Sequence, residues 1–474
     1  MKQIQNIPDY VYRGYDLRGV VGPDLDEYRV EILGKGYATW LLQRRIYDCV
    51  LGFDSRLSSP SFRDAMVKGL TESGITVYDI GMTLSQICYF AQYLFRTRGM
   101  VMITASHNPK EFNGFKFATG YSETMLTDDI VSFREMVKKG KFLKGKTKGK
   151  HIQKDITDEY INDILHRSDY IKPYKIVVDS CAATTGLFLP KIFRKLGCTV
   201  IEQNTKIDGN FPVGVADPTE KEVQERLAKR VIQEKADIGF SYDTDGDRVG
   251  VVDNTGGLIW NDILVSIFSK DALEYLPGSK IVFNTLCSKQ VKEVVQKAGG
   301  IPIIWNTGHS FIKAKVRDER APFGGELSGH FYFVDNFYGH DDGAVASLRI
   351  LAYLTRKNKS LSQVIAGLPH YFSSPEIKVG CADKIKFNVV TNKIGAEIKK
   401  LYPDAEYIEI DGVRMDSENE MLIVRASQNG PYLTVKFEAK TQKMYETLKK
   451  QVSQILHSIK EVDFKSGVNI GSLE

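Results

Sequence analysis

The run Asp243-Thr244-Asp245-Gly246-Asp247-Arg248 sets three carboxylates at alternate positions, with a guanidinium beside the last, directly after the apolar run Ile238-Gly239-Phe240. Carboxylates this close repel one another unless a cation sits among them, and oxygen donors alone favour Mg2+ or Ca2+ over Zn2+. Arg248 at the same spot points to a phosphate approaching that cation. An EF-hand loop begun at Asp243 would need Gly at its sixth position and Glu at its twelfth, where the chain has Arg248 and Asn254. A solvated turn without a ligand has no use for three like charges. An aspartyl-nucleophile phosphatase using Asp243 and Asp245 needs Thr or Val after the glycine, and Asp247 stands there.

Three similar stretches of chain must position such loops. Cys49 to Phe53, Ile176 to Val178 and Ile281 to Phe283 read as buried strands ending in Asp54-Ser55, Asp179-Ser180 and Asn284-Thr285. Each is followed by helical periodicity: Phe62, Ala65, Met66, Gly69 and Leu70; then Leu189, Ile192, Phe193 and Leu196; then Val291, Val294, Val295 and Ala298. Gly74, Gly197 and Gly299 stop the helices, and second strands follow at 75–78, 199–201 and 301–305. Strands alternating with helices predict parallel sheets in three related α/β units. Three polar loops fall at equivalent places: Thr104-Ala105-Ser106-His107-Asn108-Pro109, the acidic run, and Gly324-Gly325-Glu326-Leu327-Ser328-Gly329 before His330. Ligands of such sheets bind beyond the carboxyl ends of the strands, so the three loops are expected to face one cleft. From about Tyr371 the order is lost, and Arg425-Ala426-Ser427-Gln428-Asn429-Gly430-Pro431 before the strand Tyr432 to Phe437 offers an arginine, a hydroxyl and backbone amides to a phosphate.

Composition sets the outer limits. The 474 residues are 42% hydrophobic and 26% charged with a net charge of +5, which suits a globular protein with an anionic substrate and gives no case for nucleic acid. No apolar run reaches membrane-spanning length. Six cysteines without paired spacing, and no secretory leader, predict free thiols in the cytoplasm. Gly140 to Thr147 fits the pattern GxxxxGK[ST], but a charged helix-like run, 133–139, precedes it where a buried strand is required. With seven lysines between 138 and 150, the segment reads as a solvated linker.

Taken in order, Tyr15-Asp16-Leu17-Arg18-Gly19-Val20-Val21, the Ser106 loop, the acidic run, the Glu326 loop and the Arg425 loop resemble the signature of the α-D-phosphohexomutases, specifically the bacterial phosphomannomutase/phosphoglucomutase branch. The resemblance implies an α/β protein of three topologically related domains, 1–150, 151–256 and 257–370, with a smaller α+β domain, 371–474, heart-shaped around a central cleft. It implies exchange of hexose 1-phosphate and hexose 6-phosphate through a phosphoserine at Ser106 and a hexose 1,6-bisphosphate, with Mg2+ held by Ser106, Asp243, Asp245 and Asp247. Arg248, Lys116 and Arg18 would supply positive charge to the transferring group. His330 first, then His309 and Lys116, would move the proton of the sugar hydroxyl. Glu326 and Ser328 would read sugar hydroxyls, Arg425, Ser427, Gln428 and Asn429 would hold the remote phosphate, and Tyr15 joins the substrate-binding set.

Partners are small sugar phosphates, with no nucleic acid and no membrane; a monomer and a homo-oligomer are both compatible with the chain. Phosphoglucosamine mutases carry Gln inside the third loop and Thr-Glu-Pro in the phosphate loop, so Leu327 and Asn429-Gly430 point towards glucose or mannose. Leu286 stands where the branch has a substrate-contacting lysine, and Lys289, one turn on, is the candidate to reach instead.

Overall fold

The structure, a computed structural model, describes residues 7–428 and 430–474. Two compact units divide the chain, Met1–Asn261 with Ser328–Ala366 and Asp262–Leu327 with Gly367–Glu474. The architecture is three α/β domains followed by an α+β domain.

In the first unit the apolar run after Asp48 becomes strand Asp48–Phe53, paired in parallel with Thr76–Met82 on one side and Met100–Ile103 on the other. Its amphipathic follower is helix Ser59–Glu72, which buries Phe62, Met66 and Leu70 against the sheet, and Gly74 at φ +98° turns the chain back. A second sheet places Ile238–Tyr242 parallel to Lys175–Asp179, which pairs in turn with Thr199–Gln203. The sheets are nevertheless mixed. Val249–Asp253 returns antiparallel to Ile238–Tyr242, and Phe112–Gly120 antiparallel to Met100–Ile103. The connections explain this: the acidic loop and the Ser106 loop are too short for a crossover helix, so each must reverse the chain directly. Both chemistry-bearing loops therefore cap the ends of central strands.

In the second unit Lys280–Asn284 lies between Ile301–Trp305 and Phe323–Gly325, all parallel, as the periodicity predicts. The C-terminal sheet is antiparallel, with Glu420–Ala426 and Tyr432–Ala439 as its centre. Helix Gln442–Ser458 covers it, capped by Thr441, whose side chain accepts from Met444 N. Among the described residues no helix is long and apolar enough to cross a membrane.

The lysine-rich segment differs from the free linker expected. Its backbone is tied to the first sheet and its helices: Leu143 N donates to Thr39 Oγ1, Gly145 N to Ser73 O, Gly149 N to Thr71 O, and Val77 N to Lys150 O. His151–Gln153 then joins the sheet in parallel beside Thr76–Met82. A Cβ on Gly149 would stand 2.0 Å from Ile75 O, so only glycine permits this approach. The lysines themselves point outward and are exposed.

Candidate functional site

Ser106 is presented by a loop under strain. Its φ of +49° is left-handed, which costs an L-residue roughly 1–2 kcal/mol, and its amide donates to Thr104 Oγ1 at 2.8 Å. Arg56, fully buried, lies beneath and donates to the carbonyls of Ser106 (2.6 Å), Asn108 (2.7 Å), Pro109 (2.8 Å) and Phe112 (3.0 Å) while pairing with Asp54 at 3.2 Å. Arg18 reaches the same loop, donating to Asn108 Oδ1 at 2.7 Å and Ala105 O at 3.2 Å, and is held by Asp16 at 2.9 Å. Tyr15 is buried two residues from Leu17.

The acidic run meets this loop from the second sheet. Ser106 Oγ donates to Asp243 Oδ2 at 2.8 Å, across 137 residues of sequence. Arg248 Nε donates to the same oxygen at 3.2 Å, and Gly246 N and Arg248 N donate to Asp243 Oδ1. Lys116 Nζ sits between Asp245 (2.6 Å) and Asp247 (2.5 Å). Ser85, the first residue of helix Ser85–Phe95, donates through its hydroxyl to Asp245 Oδ2 at 2.5 Å and through its amide to Asp245 O at 2.9 Å; Gln86 Nε2 adds a bond to Gly246 O at 2.9 Å. Burial opposes the charge of Lys116, but Asp245 and then Asp247 outweigh it and hold the ammonium well above the usual amine range. Burial likewise opposes the charge of Asp245, yet Lys116 holds that carboxyl below the usual range. Asp243 goes the other way, pushed well up by burial and by the charges of Asp247 and Asp245.

The donors of Asp243, Asp245 and Asp247 lie within 4.8 Å of one another and could hold a metal ion. Asp245 Oδ1 and Asp247 Oδ1 are buried and accept no hydrogen bond from the described residues. Buried carboxylate oxygens without partners are costly, and a hard cation is the group that satisfies them. On the other side of the cluster Arg248 Nη1 pairs with Asp217 at 3.2 Å, while its buried Nη2 has no acceptor among the described residues, which suits an incoming phosphate oxygen. His330 bridges Arg248 through the backbone, and its Nδ1 lies 2.9 Å from Asp341 Oδ2 and 3.6 Å from Asp247 Oδ1. Ser328 is half-buried near the start of this segment.

The remaining expected residues belong to the second unit. Glu326 is buried and accepts from Gly308 N at 2.9 Å. The next residue, His309, opens helix His309–Glu319 and is also buried. Arg425 Nε donates to Asp411 Oδ2 at 2.8 Å. Ser427 and Gln428 follow it, with Lys386 Nζ donating to Ser427 O at 2.5 Å and Gly430 O at 2.9 Å to brace the turn. Asn429 lies outside the described residues. Leu286 is buried, and the ammonium of Lys289 donates to the carbonyls of Ser417 and Glu418.

The periodicity and motifs pass over Arg56, Ser85, Asp217, Asp341 and Asp411. Asp341 had a local signal in His340-Asp341-Asp342-Gly343, but Asp342 reads as the helix cap, accepting from Val345 N at 3.0 Å, and masks its neighbour.

Three family models match the chain in order: phosphoglucomutase/phosphomannomutase α/β/α domain I at residues 10–144, domain II at 158–257 and domain III at 260–372. A phosphomannomutase/phosphoglucomutase of Pseudomonas aeruginosa is 35% identical over 448 residues, covering 94% of each chain. A phosphoglucomutase of Neisseria meningitidis is 32% identical over 453 residues, covering 96% of this chain and 98% of the relative. A crystal structure of a phosphoglucomutase/phosphomannomutase family protein from Burkholderia thailandensis superposes with a TM-score of 0.87 at 30% identity, covering 95% of this chain and 98% of that one.

Proposed function

Because the chain belongs to the phosphoglucomutase/phosphomannomutase family and is a hexose phosphate mutase, an isomerase, we propose that Ser106 is its phosphoryl carrier and that Asp243, Asp245 and Asp247 hold Mg2+ beside it. The observation that carries this reading is the 2.8 Å bond from Ser106 Oγ to Asp243 within a buried triple-carboxylate cluster. A serine hydroxyl is a weak nucleophile and its phosphate ester is inert in water, so a carrier serine needs concentrated positive charge at its phosphate. Mg2+, when bound, neutralises the phosphoryl oxygens of the loose transition state. Arg248 adds its spare donor, and Arg18 and Lys116 supply further positive charge around the loop.

The reaction divides into two transfers. In the first, a free hydroxyl of a hexose phosphate attacks the phosphorus of phosphoserine 106; a P–O bond to the sugar forms and the P–O bond to Ser106 breaks. The leaving Oγ takes a proton from His107, whose Nδ1 lies 3.2 Å from it and recovers that proton in the second transfer, so that a hexose 1,6-bisphosphate and a free serine hydroxyl result. His330, oriented by Asp341 through Nδ1, takes the hydroxyl proton on its other nitrogen and returns it in the second transfer, when the opposite phosphate goes back to Ser106. Between the two the sugar must reverse, so one remote phosphate site serves both ends. Arg425, Ser427, Gln428 and Asn429 are assigned that site, Tyr15, Glu326 and Ser328 are assigned to the sugar, and His309 stands second to His330 as the group that moves the proton. The substrates are glucose and mannose phosphates, as both sugars appear in the names of the relatives. Domain limits of 1–150, 151–256, 257–370 and 371–474 and a cytoplasmic location complete the reading; the cysteines, all free and buried, fit a reducing compartment.

The direct test is a mutase assay with glucose, mannose and glucosamine 1-phosphates side by side, in Mg2+ and a trace of 1,6-bisphosphate. Turnover of the first two is expected, and release of inorganic phosphate in its place would replace the reading with a phosphatase. Stripping divalent ions with EDTA is expected to lower the rate by about 100-fold or more, since several kcal/mol of transition-state stabilisation go with the ion. Added Mg2+ should restore it. Undiminished activity in excess chelator would remove the metal role of the three aspartates.

A further inference from the structure

A single carboxylate in the second unit gathers contacts from three separate segments. Asp411 Oδ2 accepts from Arg425 Nε at 2.8 Å, from Thr307 N at 2.9 Å and from Thr285 Oγ1 at 3.0 Å. Its side chain is 8% exposed and that of Arg425 6%, so the pair is shielded from solvent. The turn carrying Asp411 is pressed against Arg425 by Gly412, whose φ is +91° and where a Cβ would stand 2.6 Å from Arg425 Cα. Thr307 is followed by Gly308, whose amide donates to Glu326. A continuous line of hydrogen bonds thus runs from Arg425 through Asp411 and the 307–308 turn to Glu326.

We propose that Asp411 is the positioning residue of the phosphate grip. It fixes the guanidinium of Arg425 in rotation and ties it to the loops that follow strands Lys280–Asn284 and Ile301–Trp305, so the group that holds the remote phosphate and the group that reads a sugar hydroxyl keep one spacing. A guanidinium anchored at Nε has its plane set before the anion arrives, which lowers the ordering cost of binding. The proposal rests on the reading of Arg425 as a phosphate ligand.

Asp411→Asn keeps the size and one acceptor oxygen but loses the charge that three donors share. With glucose 1-phosphate as substrate, the variant is expected to raise KM about tenfold, the equivalent of one charge-assisted hydrogen bond, while kcat stays close to wild type. Inhibition by inorganic phosphate should weaken by the same factor. Combined with Arg425→Ala, Asp411→Asn should raise KM no further than Arg425→Ala alone. A wild-type KM in Asp411→Asn while Arg425→Ala raises it, or a KM increase that persists on the Arg425→Ala background, overturns the positioning role. A fall in melting temperature with KM unmoved does so too, since that is what a purely structural contact gives. If Arg425→Ala itself leaves KM unchanged, the phosphate grip is elsewhere and the reading beneath the proposal fails with it.

Discussion

Ser106→Ala is expected to lower the mutase rate by about 10^4-fold or more, as removal of a covalent nucleophile does, while binding of hexose phosphate measured by calorimetry persists. Ser106 carries the hydroxyl bonded to Asp243 at 2.8 Å, and the neighbouring His107 ring meets that hydroxyl through Nδ1 at 3.2 Å. Mass spectrometry should find the phosphorylated peptide in the wild type and lose it in the variant. Turnover comparable to the wild type would dismiss the carrier role outright. The left-handed backbone adds a second readout. At φ +49° alanine inherits the strain of serine and glycine does not, so Ser106→Gly should be more stable than Ser106→Ala by about 1 kcal/mol although both are inactive. Equal stability would mean that the loop relaxes when the hydroxyl is gone.

Arg56→Met should cost about 3–5 kcal/mol of folding stability, the usual result of breaking a buried ion pair from one side. Asp54 would be left as a buried carboxylate, already raised above its usual range by burial, and the carbonyls of Ser106, Asn108, Pro109 and Phe112 would lose their shared donor. Against a total stability of roughly 5–15 kcal/mol this is a large fraction. Arg56→Lys keeps the charge, but a single ammonium cannot span four carbonyls, so it should fall between. Urea unfolding measures both variants. A wild-type midpoint for Arg56→Met would show that the loop carrying Ser106 does not depend on the guanidinium beneath it.

The amino-acid sequence discloses some of these residues and hides others. Ser106 and the three aspartates are legible because their chemistry is local: unusual side-chain types stand close together after apolar runs, and the strand and helix periods that carry them repeat. Arg56 and Ser85 are silent by the same criterion. Arg56 acts on carbonyls 50 to 56 residues away, and Ser85 on a carboxylate 160 residues away, so neither pattern nor spacing announces them. Asp411 reaches Thr285 across 126 residues. Sheet direction was legible only in part, because apolar periodicity marks a strand but the length of the next connection decides whether its partner runs parallel. The lysine-rich segment misleads for a related reason. Its composition describes side chains that do face water, whereas its order comes from backbone amides and from glycines whose missing Cβ atoms allow the approach to Ile75 and Gly74.

That ribbon also bears on how the molecule ages in a cell. Trypsin-like proteases seek lysines, and here they meet seven within thirteen residues, all on the outside. Cleavage, however, needs backbone that can peel away and extend, and this stretch is stitched at Leu143, Gly145, Gly149 and Lys150 before it enters the sheet at His151. The bait is displayed and the thread is withheld, so this ribbon at the edge of the first sheet is expected to survive limited trypsinolysis where its composition invites cutting.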